Sequence, residues 1–107
     1  MSAAAMSLKD PMCPLPARIS GIVRETHDTC TLTAIAANGG GLPSFLPGQF
    51  SMVSEFGAGE IPISISGDAE MPDQLLYTIR SVGKVSDALI RHKPGDCIGL
   101  RGSFGTA

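Results

Sequence analysis

From Ala17 onward the chain alternates apolar and polar positions at the two-residue period of half-buried strands. Ala17, Ile19, Gly21 and Val23 share one face, and Arg18, Ser20 and Arg24 share the other. The polar turn Glu25-Thr26-His27-Asp28 leads into Thr29 to Ala36, where Cys30, Leu32 and Ala34 oppose Thr31 and Thr33, so the two segments predict a β-hairpin. Asn38-Gly39-Gly40-Gly41 breaks the alternation, and Pro43 through Pro47-Gly48 leads to a third strand at Gln49 to Val53. After the loop Glu55 to Glu60 comes a fourth strand, Ile61 to Ser66, with Ile61, Ile63 and Ile65 facing one way and Ser64 and Ser66 the other. A turn at Gly67 to Asp73 precedes a fifth strand over Gln74 to Val82.

Helical signals gather in one place. Ser86 is suited to cap a helix, Val85 and Ile90 are spaced for a hydrophobic staple around it, and Pro94-Gly95 stops the segment after Lys93. Cys97 to Arg101 then reads as a sixth strand. Six short strands with frequent turns and one short helix between the fifth and sixth predict an all-β fold, a six-stranded antiparallel Greek-key barrel. No βαβ alternation is visible, which excludes a Rossmann domain within this sequence.

Composition narrows the function classes. At 107 residues, 43% hydrophobic and 17% charged, the sequence is of single-domain size and ordinary globular balance. Residues 1–15, rich in small residues and prolines, read as a flexible N-terminal tail, and residues 16–105 as the folded barrel. A net charge of −2 without any basic run argues against a nucleic-acid surface. Cys13, Cys30 and Cys97 are an odd, widely spaced set, expected as reduced thiols rather than a disulfide framework or a zinc site. No apolar run approaches the roughly 20 residues of a membrane helix, and Met1 to Met12 lacks an export signal. The expectation is a cytoplasmic protein with no membrane partner.

His27 and His92 stand apart from each other and from cysteine pairs, so no metal site is expected and both are read as exposed. Tyr77, on a predicted strand, is read as core or rim packing. No serine, cysteine or acid has the context of a nucleophile or general base, so no catalytic residue is assigned. The stretch Arg80 to Ser86 is more suggestive: Gly83-Lys84-Val85-Ser86 opens the helix, whose first amides and dipole suit a phosphate, and Arg80 and Lys84 add positive charge. Strand alternation equally allows Arg80 to face outward, and Lys84 to be merely solvated.

Pro47-Gly48-Gln49-Phe50, the strand Ile61 to Ser66, the Arg80 to Ser86 turn and Arg101-Gly102-Ser103-Phe104-Gly105 occur in the order seen in the flavin-binding barrel of ferredoxin-reductase-type flavoproteins, which the chain resembles over roughly residues 14 to 105. In wording, Leu15-Pro16-Ala17-Arg18-Ile19, Glu25-Thr26-His27-Asp28-Thr29 and Gly59-Glu60-Ile61-Pro62-Ile63-Ser64-Ile65-Ser66 most resemble the gamma, or diaphorase-type, subunit of soluble nickel-iron hydrogenases and sulfhydrogenases. The wider family carries Arg-x-Tyr-Ser at the fourth strand, where aligning its serine to Ser64 puts Ile61 at the arginine and Ile63 at the tyrosine. The hydrogenase-type branch shares that departure, which leaves the flavin pyrophosphate to be met at the second motif.

The resemblance implies an FAD site, with FMN less favoured, formed by Ile61, Pro62, Ile63, Ser64, Ile79, Arg80, Gly83, Lys84, Val85 and Ser86. Ser64 would reach the flavin edge, or else is simply the polar side of a half-buried strand. It further implies an electron-transferring NAD(P)H-linked oxidoreductase whose nicotinamide-binding and iron–sulfur parts, absent from this sequence, would be partner domains or subunits, as would the hydrogenase itself. The isolated chain is then expected not to turn over NAD(P)H, and its barrel to expose apolar surface and self-associate. The contrasting expectation is a non-catalytic barrel that docks or scaffolds and binds flavin weakly or not at all.

Overall fold

A computed structural model describes residues 15–37, 42, 44–67 and 73–105. The expected tail up to residue 14, and the glycine run at 39–41, lie outside the described residues. Among the described residues six strands and one helix follow in chain order: β1 (Leu15–Thr26), β2 (Thr29–Ala36), β3 (Phe50–Glu55), β4 (Gly59–Ser64), β5 (Leu75–Arg80), α1 (Lys84–Ile90) and β6 (Cys97–Phe104). All pairings are antiparallel in the order β4-β3-β6-β1-β2-β5, with the last strand inserted between β3 and β1. The chain just past β4 touches the other edge strand through an isolated bridge between Ile65 and Tyr77 and through Ser66, whose amide and hydroxyl donate to the Leu76 carbonyl at 2.9 and 3.1 Å. No continuous ladder joins β4 to β5 among the described residues, so the sheet curls toward a barrel and stays open there.

The two-residue period places the core. Ala17 and Ile19 of β1, Cys30, Leu32 and Ala34 of β2, Leu75, Tyr77 and Ile79 of β5, and Ile98 and Leu100 of β6 all point inward. Burying each of the larger aliphatic side chains contributes about 1.5–3 kcal/mol against leaving it in water. The alternation expected for β1 fails in its second half, because a register shift lies between Ile19, opposite Ala34, and Gly21, opposite Thr33. The extra residue turns Ile22 toward the core and leaves Val23 60% exposed.

Other boundaries move for local reasons. β6 runs on to Phe104 instead of stopping at Arg101, because Arg101 and Phe104 pair with Met52 and Phe50 of β3. α1 begins at Lys84 behind an extended Gly83, which is the N-cap, and ends at Ile90 instead of Lys93. Ser86 is therefore three residues inside the cap position expected for it, and it is buried. His92, expected to be exposed, is half-buried and held between two carboxylates: its Nδ1 is 2.8 Å from Asp96 Oδ2, and its Nε2 is 2.6 Å from Glu55 Oε2 without hydrogen-bond alignment. The Lys93 amide and then the His92 ring hold the Asp96 carboxyl below the usual carboxylate range.

A candidate ligand groove at the open edge

Where the sheet fails to close, α1 covers the gap and leaves a groove of about 400 Å³, within the range of small-molecule sites. One wall is the edge strand β4, through Ile61, Pro62 and Ile63. Proline is tolerated at such an edge because no neighbouring strand needs its missing amide. The opposite wall is the end of β5 and the turn after it, through Arg80, Val82 and Gly83, and the first turn of α1 adds Lys84, Val85 and Ser86.

The helix is pressed close to β4. Gly59 has φ +134°, and a Cβ there would stand 3.3 Å from Val85 Cγ2, so glycine permits both the backbone and the approach. On its other side β4 is braced by Glu60, whose two oxygens accept from Arg101 Nε at 2.9 Å and Nη2 at 2.7 Å. That bidentate pair, with a further bond from Ser54 at 3.1 Å, holds the Glu60 carboxyl below its ordinary range and keeps it ionised.

The Ser86 hydroxyl accepts from the amides of Val82 at 2.9 Å and Gly83 at 3.0 Å and donates to the Gly83 carbonyl at 3.2 Å. It therefore shapes the turn and contributes position rather than a free hydroxyl to the groove. We expect Ser86→Ala to cost about 1–3 kcal/mol, because two turn amides lose their acceptor; an unchanged denaturant midpoint would show that water replaces the hydroxyl fully.

Charge comes from two side chains. Arg80 is 72% exposed and its Nε lies 3.3 Å from Asp28 Oδ2, while Lys84 is exposed and has no ion partner among the described residues. The structure thus brings together eight of the residues expected from the sequence, Ile61, Pro62, Ile63, Arg80, Gly83, Lys84, Val85 and Ser86. Ile79 is not among them, since strand alternation turns its side chain into the core beside Tyr77. Ser64 also lies outside the groove lining, exposed opposite Phe50 at the end of β4. Val82, which the sequence reading placed only at a strand end, joins the rim at 78% exposure; an apolar residue between a strand and a glycine turn is its one signal.

No family model matches the chain. In sequence it is similar to the electron transfer subunit of dihydroorotate dehydrogenase B (NAD(+)) of Archaeoglobus fulgidus, 38% identical over 90 residues that cover 84% of this chain and 34% of that protein. It is also similar to the sulfhydrogenase 1 gamma subunit of Pyrococcus furiosus, 39% identical over 62 residues that cover 58% of this chain and 21% of that subunit. The chain thus spans about a third or less of the curated relatives it matches. Among solved structures, phthalate dioxygenase reductase, a modular structure for electron transfer from pyridine nucleotides to a 2Fe–2S centre, superposes with a TM-score of 0.75 at 16% identity, covering 82% of this chain and 29% of that one. The ferredoxin reductase of carbazole 1,9a-dioxygenase superposes equally well, at 22% identity, over 86% of this chain and 28% of that one. The chain is a homologue of the dihydroorotate dehydrogenase electron transfer subunits and the sulfhydrogenase gamma subunits, built on the barrel of ferredoxin-reductase-type proteins.

Proposed function

We propose that the chain is the FAD-binding barrel of an electron-transferring, NAD(P)H-linked oxidoreductase. The observation that supports this most is the convergence on one groove of the apolar edge of β4 and the cationic turn after β5, which are distant in sequence. The donor set suits the cofactor's two chemistries. Ile61, Ile63, Val82 and Val85 offer apolar surface for an aromatic ring system, and Arg80 and Lys84 match two positive charges to the two negative charges of a pyrophosphate. With no aromatic residue at position 63 and no arginine at position 61, ring contact would be aliphatic and phosphate contact would fall to the turn.

Bound FAD would supply the hydride and single-electron chemistry, and the protein orientation and electrostatics. Its own residues act by binding: β4 and Val85 exclude water from the ring face, Arg80 and Lys84 balance phosphate charge, and Ser86 holds the turn that presents them. The nicotinamide site and the iron–sulfur or hydrogenase partners are then contributed by other domains or subunits, as the names of the relatives suggest. No helix among the described residues is long and apolar enough to cross a membrane.

Purified protein titrated with FAD, FMN and riboflavin tests the reading. We expect saturable binding with FAD tightest, and no NAD(P)H oxidation by the isolated chain with artificial acceptors. Absence of FAD binding at millimolar concentration would replace this reading with a docking or scaffolding barrel, and measured turnover would overturn the division of the site between this chain and its partners.

A further inference from the structure

Resting on the flavin reading, we infer that Asp28, in the β1–β2 turn, is a positioning residue that fixes Arg80 so that the terminal nitrogens of its guanidinium remain available to a phosphate in the groove. The turn is tied to the end of β5 independently of the two side chains: Thr29 pairs with Arg80, and the Ser81 amide donates to the Asp28 carbonyl at 2.8 Å. The Asp28 carboxylate is divided by its partners. Oδ1 accepts from the hydroxyls of Thr26 at 2.9 Å and Thr29 at 3.2 Å, while Oδ2 is 3.3 Å from Arg80 Nε. The Thr26 bond above all, with the charge of nearby His27 and the bonds from Thr29 and Arg80, holds this carboxyl below its ordinary range, so the anchor stays charged at neutral pH.

Only Nε of Arg80 is engaged among the described residues, which leaves the two Nη groups that make a fork for phosphate oxygens. A long, exposed arginine loses much rotamer freedom when a ligand fixes it, and an anchor that fixes it beforehand lowers that cost. The carboxylate also repels a pyrophosphate, and solvent around the partly exposed Asp28 and the exposed Arg80 screens that opposing effect. Orientation therefore outweighs repulsion, by the modest amount an exposed pair can contribute.

Asp28→Asn keeps an acceptor for Thr26 and Thr29 and removes the charge. In the full chain we expect FAD affinity to fall about fivefold, riboflavin affinity to stay unchanged because riboflavin carries no phosphate, and Asp28→Asn to have no further effect on FAD once Arg80→Ala is present. Equal or tighter FAD binding by Asp28→Asn overturns the inference while leaving the flavin reading intact. A matching loss of riboflavin affinity overturns it as well, since that would mark a general disturbance of the groove. Failure of the unaltered protein to bind FAD overturns the flavin reading and this inference together.

Discussion

Tyr77→Ala is expected to leave little folded protein at 25 °C. Tyr77 is the largest fully buried side chain among the described residues, and its hydroxyl shares a 2.8 Å hydrogen bond with the equally buried Ser51. Truncating a core aromatic costs about 3–5 kcal/mol, and the Ser51 hydroxyl left without a partner costs about 1–3 kcal/mol more. A native domain has only about 5–15 kcal/mol in total, and one of this size sits toward the lower end. Loss of the far-ultraviolet strand signal, or a collapsed denaturant midpoint, is the measurement. Tyr77→Phe separates the two contributions, keeping the ring and removing only the bond, and should lose about 1–3 kcal/mol; stability equal to the unaltered protein would mean that Ser51 finds another partner.

The same residue adds a pH dependence with a definite sign. Burial pushes the Tyr77 phenol from its ordinary 10.0 up to about 12. The fold therefore favours the neutral phenol, so the stability linked to it is fully present below pH 10 and is lost as pH rises toward 12, on the order of 3 kcal/mol over that span. Tyr77→Phe should be less stable at pH 7 but should lack this part of the alkaline decline.

The second large effect concerns binding. Arg80→Ala should weaken FAD binding about tenfold, near the lower end for a hydrogen bond to a charged group because the side chain is 72% exposed. Lys84→Ala should act in the same direction but less, since an exposed ammonium with no ion partner among the described residues contributes mainly a screened charge. Riboflavin affinity should be spared in both. If FAD affinity is unchanged in both variants, the side-chain charges are irrelevant and the backbone of the turn must meet the pyrophosphate alone.

How much was legible in the sequence varies from element to element. In β2 the alternation of Cys30, Leu32 and Ala34 with threonines matches the buried pattern residue by residue, because hydrophobic period alone decides a strand's face. In β1 the same rule misplaces Val23, because a bulge after Ile19 depends on pairing with β2 and leaves no local mark. The turn at Gly83 shows a similar split. A helix after it was evident, yet the role of Ser86 as an inward hydroxyl binding two upstream amides was not, since cap and third position differ only by where the backbone becomes helical. The polar core pair Ser51–Tyr77 and the approach of Glu55 to His92 were invisible for a simpler reason: their members come from separate elements.

By itself, then, the sequence determined the strands, the helix after Gly83 and most of the residues that line the groove, because each depends on short-range period, turn chemistry or residue type. Tertiary structure alone decided that β4 and the turn after β5 face one another across an open edge, that Ile79 and Ser64 fall outside that groove, and that Asp28 meets Arg80. Those are facts of strand order and register, which arise only when the whole sheet curls around its core.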